Sequence, residues 1–156
     1  MSAGPPGAPR VPTLVIDASV ASKWFLRDEP HVDAADSLWD EAAGGGPALT
    51  APAQIEVEVV AAIRRAILRE RVDEETGRQL VKEWLGEFCP SLKLVPNAVL
   101  LADAHETSLR LGVTLFDALY ITLADQIGSD LVVADRDCEV GLGSGAIRAW
   151  AALKAA

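Results

Sequence analysis

Four acidic residues stand at the ends of apolar segments of this sequence, and their types and positions could support metal chemistry. They are Asp17, Glu58, Asp117 and Asp135. A carboxylate next to a buried element loses hydration, and four carboxylates brought together would repel one another strongly. A divalent cation is the simplest partner for such a group, because Mg²⁺ and Mn²⁺ prefer hard oxygen ligands. The residue types therefore predict a metal-dependent phosphodiester hydrolase.

The elements that must position these acids alternate between strands and helices along the chain. The predicted strands are residues 14–17, 48–50, 92–95 and 131–134, and residues 147–150 form either a fifth strand or part of a terminal helix. The predicted helices are residues 19–26, 31–43, 53–70, 74–88, 97–111 and 114–127. Because parallel strands need crossover connections, this order predicts one α/β domain with helices covering a mainly parallel sheet of four to five strands.

Length, composition and charge restrict the class of protein. The 156 residues suit a single domain with a proper core, and no apolar stretch approaches the roughly 20 residues needed to span a bilayer. Residues 1–12 are rich in Pro and Gly and lack a signal-peptide core. We expect a flexible extension at 1–12, a single domain at 13–156 and a cytoplasmic location. The net charge of −9 argues against non-specific coating of nucleic acid and suits a basic protein partner.

Asp17 lies where a strand ends and a helix begins, at the edge of the sheet where open α/β folds place their sites. Ser19, two residues later, could hydrogen-bond the Asp17 carboxylate or a metal-bound water. A second interpretation is structural, since Asp is a good N-cap for the helix that follows.

Glu58 has a competitor in Glu56, two residues earlier on the same predicted helix. The apolar periodicity of the helix does not choose between them. The small residues Ala61 and Ala62 follow Glu58 at helical spacing and leave room for a ligand. A surface ion pair with an arginine is the alternative role of Glu58.

Asp117 and Asp135 follow the same pattern at other element ends. Asp117 stands near the start of an apolar helix that should be buried, with Thr114 at the spacing of a cap. Asp135 follows a predicted strand, and Asp137 lies two residues further on. Both could instead be turn residues, which Asp favours.

Taken together, these segments resemble the PIN-domain ribonucleases, specifically the VapC-like toxins of type II toxin–antitoxin pairs. The resemblance covers residues 14 to about 140 and rests on four short segments around the four acids. In the second of these segments the acid falls six residues past Pro52, which selects Glu58. Asp117-Ala-Leu-Tyr120 is the most specific match.

The resemblance implies a PIN-like three-layer α/β/α fold and a Mg²⁺-dependent endoribonuclease, with Mn²⁺ able to substitute. It assigns the catalytic and metal-binding roles to Asp17, Glu58, Asp117 and Asp135, with Ser19 and Asp137 in support. The products would carry a 5′-phosphate and a 3′-hydroxyl, and no His, Ser or Cys nucleophile would be needed. The implied partners are an RNA substrate, a small antitoxin protein and a second copy of the chain.

Two further features bear on this function. Arg64, Arg65, Arg69 and Arg71 form a basic run that we place on the helix that carries Glu58, and Arg65 and Arg69 could position RNA phosphates. Val133 stands where the family often has Thr or Ser, two residues before the fourth acid. That departure leaves a second function open, a catalytically silent PIN-fold module that binds a protein partner or RNA. Cleavage that depends on a divalent metal distinguishes the two.

Overall fold

The structure, a computed structural model, describes residues 12–134 and the backbone of residues 147–149. Its five strands are β1 (Thr13–Ile16), β2 (Ala48–Pro52), β3 (Lys93–Val95), β4 (Leu131–Val133) and β5 (Ile147–Ala149). They form one sheet in the order β3-β2-β1-β4-β5, and all four pairings are parallel. The central strand β1 is therefore flanked by β2 on one side and by β4 on the other.

Six α-helices lie among the described residues. They are α1 (Ala18–Ala21), α2 (Val32–Ala43), α3 (Ile55–Leu68), α4 (Glu74–Glu83), α5 (Leu101–Leu111) and α6 (Leu115–Ile127). Helix α6 packs on β1, β2 and β4 and is covered by α5, whereas α3 packs against α1 and α4. Residues 118–124 of α6 are all buried, as its apolar sequence predicts. The predicted three-layer α/β/α fold with a mainly parallel sheet is confirmed, and residues 147–149 form a fifth strand.

Several element boundaries differ from the prediction, and long-range hydrogen bonds explain two of the differences. Helix α3 begins at Ile55 because the backbone nitrogen of Ala53 donates to Val95 of β3, and that of Gln54 donates to Asn97 Oδ1. The same bond occupies the Asn97 side chain, so it does not cap a helix at residue 97. Residues 97–99 instead form a 3₁₀ turn before α5.

The core lies between the sheet and the helices. Strands β1 and β4 contribute the fully buried Val15, Ile16 and residues 131–133. Trp24 and Trp84 are buried in this core, and Trp39 packs against it. No helix among the described residues is long and apolar enough to cross a bilayer. Apart from Pro12, the predicted N-terminal extension lies outside the described residues.

Candidate active site

The acids meet at a point that the sheet topology determines. The chain passes outward from β1 to β2 and β3, and then returns to the other side of β1 for β4 and β5. Crevices form beyond the carboxyl ends of the strands at such a reversal, because the connecting helices leave in opposite directions. Asp17 immediately follows β1 at this edge.

Asp17 is both a helix cap and a member of the site. Its backbone nitrogen donates to the Val132 carbonyl of β4 at 3.1 Å, which fixes the residue at the sheet edge. One carboxylate oxygen, Oδ1, accepts from the backbone nitrogen of Ser19 at 3.4 Å, and the side chain is buried. A carboxylate has two oxygens with several lone pairs, so the cap and a ligand role are compatible.

Glu58 lies in the first turn of α3 and faces the same space as Asp17. The structure resolves the choice that periodicity left open, since Glu58 lines the cleft and Glu56 is not among the described residues that do so. The hydroxyl of Tyr120, from α6, donates to Glu58 Oε1 at 3.3 Å. A partner 62 residues away in sequence therefore orients this carboxyl group.

Asp117 is the third residue of α6, and a cap at Thr114 determines its place. The backbone nitrogen of Asp117 donates to Thr114 Oγ1 at 3.1 Å, as the predicted cap requires. The Asp117 side chain is half-buried and lines the same cleft as Asp17 and Glu58. The helix start thus aims the third acid at the other two.

The cleft itself has a volume of about 380 Å³. The described residues that line it are Asp17, Ser19, Ser22, Lys23, Glu29, Glu58, Ala62, Arg65, Asp117 and Ala134. Burial raises the pKa of Glu58 to about 7, and the nearby charges of Asp17 and Asp117 act in the same direction. The hydrogen bond from Tyr120 and the charge of Arg65 lower it in part. Asp17 and Asp117 are thus close enough to oppose the ionisation of Glu58.

Two cations border the acids, and sequence reasoning found only one of them. Arg65 is exposed and lines the cleft, as its predicted contact with RNA requires. No prediction from the sequence concerned Lys23. In the structure its side chain is only 6 % exposed, and its Nζ lies 3.3 Å from Glu29 Oε2. Its position in an apolar run seven residues after β1 could have indicated that it lies near the cleft. Lysine side chains are usually solvated, however, so the sequence alone favoured an exposed residue.

The predicted basic run is divided in the structure. Helix α3 ends at Leu68, so Arg69 is its C-cap and Arg71 lies beyond it. Arg71 forms ion pairs with Asp28 at 2.7 Å and with Glu29 at 3.3 Å, which corrects its placement on the helix that carries Glu58. Arg69 is exposed and is not among the described residues lining the cleft.

Ser19 contacts both Asp17 and the end of β4. Its backbone nitrogen, and not its hydroxyl, provides the bond to the Asp17 carboxylate. The hydroxyl accepts from the backbone nitrogen of Ala134 at 3.1 Å and so anchors the end of β4. Val133 is fully buried in that strand. The predicted site residues Asp135 and Asp137 lie outside the described residues.

The donor chemistry of the cleft fits a divalent cation. Asp17, Glu58 and Asp117 offer only carboxylate oxygens, and their shared cleft concentrates negative charge that a cation would neutralise. The described residues contain no ready-made group of three or more His, Cys, Asp or Glu side chains that could hold a metal ion. The fourth predicted ligand, Asp135, falls outside that part of the chain.

Comparison with known proteins identifies the family. The profile described as "PIN domain" matches residues 14–140, which is most of the chain. This chain belongs to the PIN-domain family. The predicted resemblance to VapC ribonucleases is confirmed by the relatives that follow.

The PIN domain is similar to Ribonuclease VapC3 of Pyrobaculum aerophilum, with 32% identity over 123 residues, covering 79% of this chain and 89% of the relative. Among solved structures it resembles VapC20 of Mycobacterium tuberculosis, a sarcin-ricin loop cleaving toxin, with a TM-score of 0.62 and 16% identity over 82% and 94% of the two chains. It also resembles VapBC2 of Rickettsia felis bound to a DNA fragment from their promoter, with a TM-score of 0.60 and 9% identity over 88% and 98%. The structural likenesses establish the fold.

Proposed function

We propose that this PIN domain is a metal-dependent endoribonuclease and the toxin component of a type II toxin–antitoxin pair. The observation that carries the proposal is the convergence of three acids from three elements on one cleft. Asp17 comes from the end of β1, Glu58 from α3 and Asp117 from α6. The similarity to Ribonuclease VapC3 supports RNA as the substrate class.

Asp17, Glu58, Asp117 and Asp135 would hold Mg²⁺, or Mn²⁺ in its place. A bound cation supplies a water of lowered pKa and neutralises charge on the phosphate and on the leaving oxygen. The Asp17 carboxylate accepts a bond from the Ser19 backbone nitrogen, and the backbone of Asp117 is fixed by the Thr114 hydroxyl, so both residues are already placed at the cleft. Arg65 at the edge of the cleft is placed to contact an RNA phosphate.

Metal-dependent cleavage of RNA tests this function. The purified protein is stripped of metal and incubated with a single-stranded RNA library of random sequence, with and without Mg²⁺ or Mn²⁺. We expect cleavage with a divalent cation, no cleavage with chelator, and at least a hundredfold loss in Asp17→Asn and Asp117→Asn. Sequencing the fragment ends would then define the RNA preference.

The catalytically silent module is the alternative function, and the same assay decides it. A folded protein that binds RNA but does not cut it with any divalent cation would establish the silent module and exclude the nuclease. Fully buried Val133 is the residue that motivates this alternative.

A small antitoxin is the expected protein partner. The net charge of −9 and the acids of the cleft suit a basic segment of such a partner. Purification from the native host should yield a stable complex with a small basic protein, and removal of that protein should raise ribonuclease activity. A toxin that purifies alone and fully active would contradict the pairing.

A second copy of the chain is the other expected partner. Val57, Val99, Leu115 and Phe116 are large apolar residues with 38% to 70% of their surface exposed. They belong to three segments that Gln54 links, because it bonds to Asn97 and to the Phe116 carbonyl. Exposed apolar residues grouped in this way are typical of a protein–protein interface. We place the homodimer contact there.

A further inference from the structure

Tyr120 connects the core of the domain to the acidic cleft. It is the single tyrosine of the sequence, and only 1% of its surface is exposed. Its hydroxyl donates to Glu58 Oε1 at 3.3 Å. The buried ring is therefore held by the core, and its hydroxyl contacts a cleft carboxyl.

Glu58 needs such a contact more than the other acids do. Asp17 and Asp117 have short side chains at capped helix starts, whereas Glu58 has a longer, more flexible side chain in α3. Asp17 and Asp117 line the same cleft, so their like charges repel the Glu58 carboxylate. Val57, the residue before it, is 70% exposed, so solvent lies close to that part of α3. Without a partner, the carboxylate would lower its free energy by rotating outward into solvent.

We propose that Tyr120 is a positioning residue, which holds the Glu58 carboxylate inside the cleft where a divalent cation can use it. This inference rests on the proposed metal-dependent function. The phenol does not itself contact the cation, and it acts through the orientation of Glu58.

Calorimetric titration of Mn²⁺ into metal-stripped protein tests the proposal through binding, without reference to activity. Tyr120→Phe removes only the hydroxyl, and we expect it to weaken Mn²⁺ binding about tenfold, the effect of one hydrogen bond to a charged group. In a Glu58→Gln background, the same substitution should have no further effect, because the tyrosine acts through Glu58.

Thr122→Val is the matched control. Thr122 lies on the same helix, is equally buried, and bonds to Thr107 Oγ1 at 3.4 Å, away from the cleft. Its substitution removes a buried hydroxyl and should leave Mn²⁺ affinity unchanged. Thermal unfolding of each variant separates a local effect on the site from loss of the fold.

A spectroscopic measurement keeps the test independent of whether Tyr120→Phe folds. Since Tyr120 is the only tyrosine, a carbon-isotope label at tyrosine Cζ gives one assignable NMR signal. That signal should shift when Mg²⁺ is added to the parent, and should not shift in Glu58→Gln.

The outcomes separate the two proposals. The positioning role would be overturned, and the metal site retained, by either of two results. One is a Tyr120→Phe protein that binds Mn²⁺ as tightly as the parent. The other is a Cζ signal whose position changes neither with Mg²⁺ nor with Glu58→Gln. A parent protein that binds no divalent cation would overturn the proposed function, and the positioning role with it.

Discussion

At the scale of single residues, the Glu58 carboxyl makes the stability of the metal-free protein depend on pH. Its pKa is about 7 in the folded protein, raised from 4.5, so the folded state favours the protonated form. The contribution of this carboxyl to the free energy of unfolding is fully present below pH 4.5 and is lost as the pH rises through about 7. Glu58→Gln should therefore stabilise the metal-free protein at about pH 8 and change little at about pH 4.

The size of this effect is modest. At the higher pH we expect Glu58→Gln to raise the free energy of unfolding by about 1 kcal/mol. This is well below the free energy equivalent to the full pKa shift, because the carboxyl remains partly solvated and screened. Urea unfolding in the presence of chelator measures it. Glu56→Gln, two residues earlier on α3, is the control and should not reproduce the gain. An equal gain from both substitutions would assign the effect to net charge alone.

Arg65 and Arg69 should differ in their effect on RNA binding, because Arg65 lines the cleft and Arg69 caps the end of α3. In an Asp117→Asn background that does not cut RNA, Arg65→Ala should lower affinity several-fold and reduce the salt dependence by about one counterion. Filter binding over a range of salt concentrations measures both. Equal effects from Arg65→Ala and Arg69→Ala would instead indicate a diffuse basic surface.

The positions of Asp17 and Asp117 and the cap at Thr114 could be predicted from the sequence, whereas the partner of Glu58 could not. Asp17 and Asp117 stand at element ends that local patterns reveal. The contact between Tyr120 and Glu58 joins residues 62 positions apart, and no local pattern encodes it. Lys23 was missed for a related reason, because its burial depends on Glu29 and on the way the following loop folds.

At the scale of elements, the cap of α6 links stability to site geometry. Thr114 accepts a hydrogen bond from the backbone nitrogen of Asp117, so the residue that starts the helix also fixes the third acid. Thr114→Ala should cost about 1 kcal/mol of stability. It should also weaken Mn²⁺ binding, since the first turn of α6 loosens. Chemical unfolding and calorimetric titration provide the two readings.

The cap of α4 supplies a comparison for that prediction. Asp73 accepts a bond from the backbone nitrogen of Thr76 at 2.8 Å, on a helix whose residues do not line the cleft. Asp73→Ala should cost a similar amount of stability and leave Mn²⁺ binding unchanged. If both caps affected metal binding alike, the loss at Thr114 would reflect general destabilisation and not the position of Asp117.

Element types followed from periodicity more closely than element boundaries did. The apolar run of α6 predicted a buried helix, and the structure shows one. The start of α3 was misplaced because Ala53 and Gln54 give their backbone donors to distant segments. Predicted residues 19–26 became a single turn of α-helix followed by a 3₁₀ turn, where the Ser22 hydroxyl donates to the Ala18 carbonyl.

At the scale of the whole molecule, the exposed apolar residues around Gln54 predict the state of association. Phe116→Glu would place a charge in the proposed contact between two copies, and we expect it to convert a dimer to a monomer. Sedimentation equilibrium measures the mass. Leu109→Glu is the matched control, since Leu109 is also exposed, at 69%, but lies near the far end of α5. A Phe116→Glu protein that remains dimeric would place the contact elsewhere.

The central position of β1 has a consequence for the protein while it is being made. One edge of this first strand pairs with β2, but its other edge pairs with β4, more than a hundred residues later. The bond between the Ser19 hydroxyl and Ala134 spans 115 residues. A growing chain on the ribosome therefore cannot complete the crevice beside Asp17 until β4 has emerged. For an enzyme that cuts RNA, this order of assembly postpones activity until translation of the domain is nearly finished.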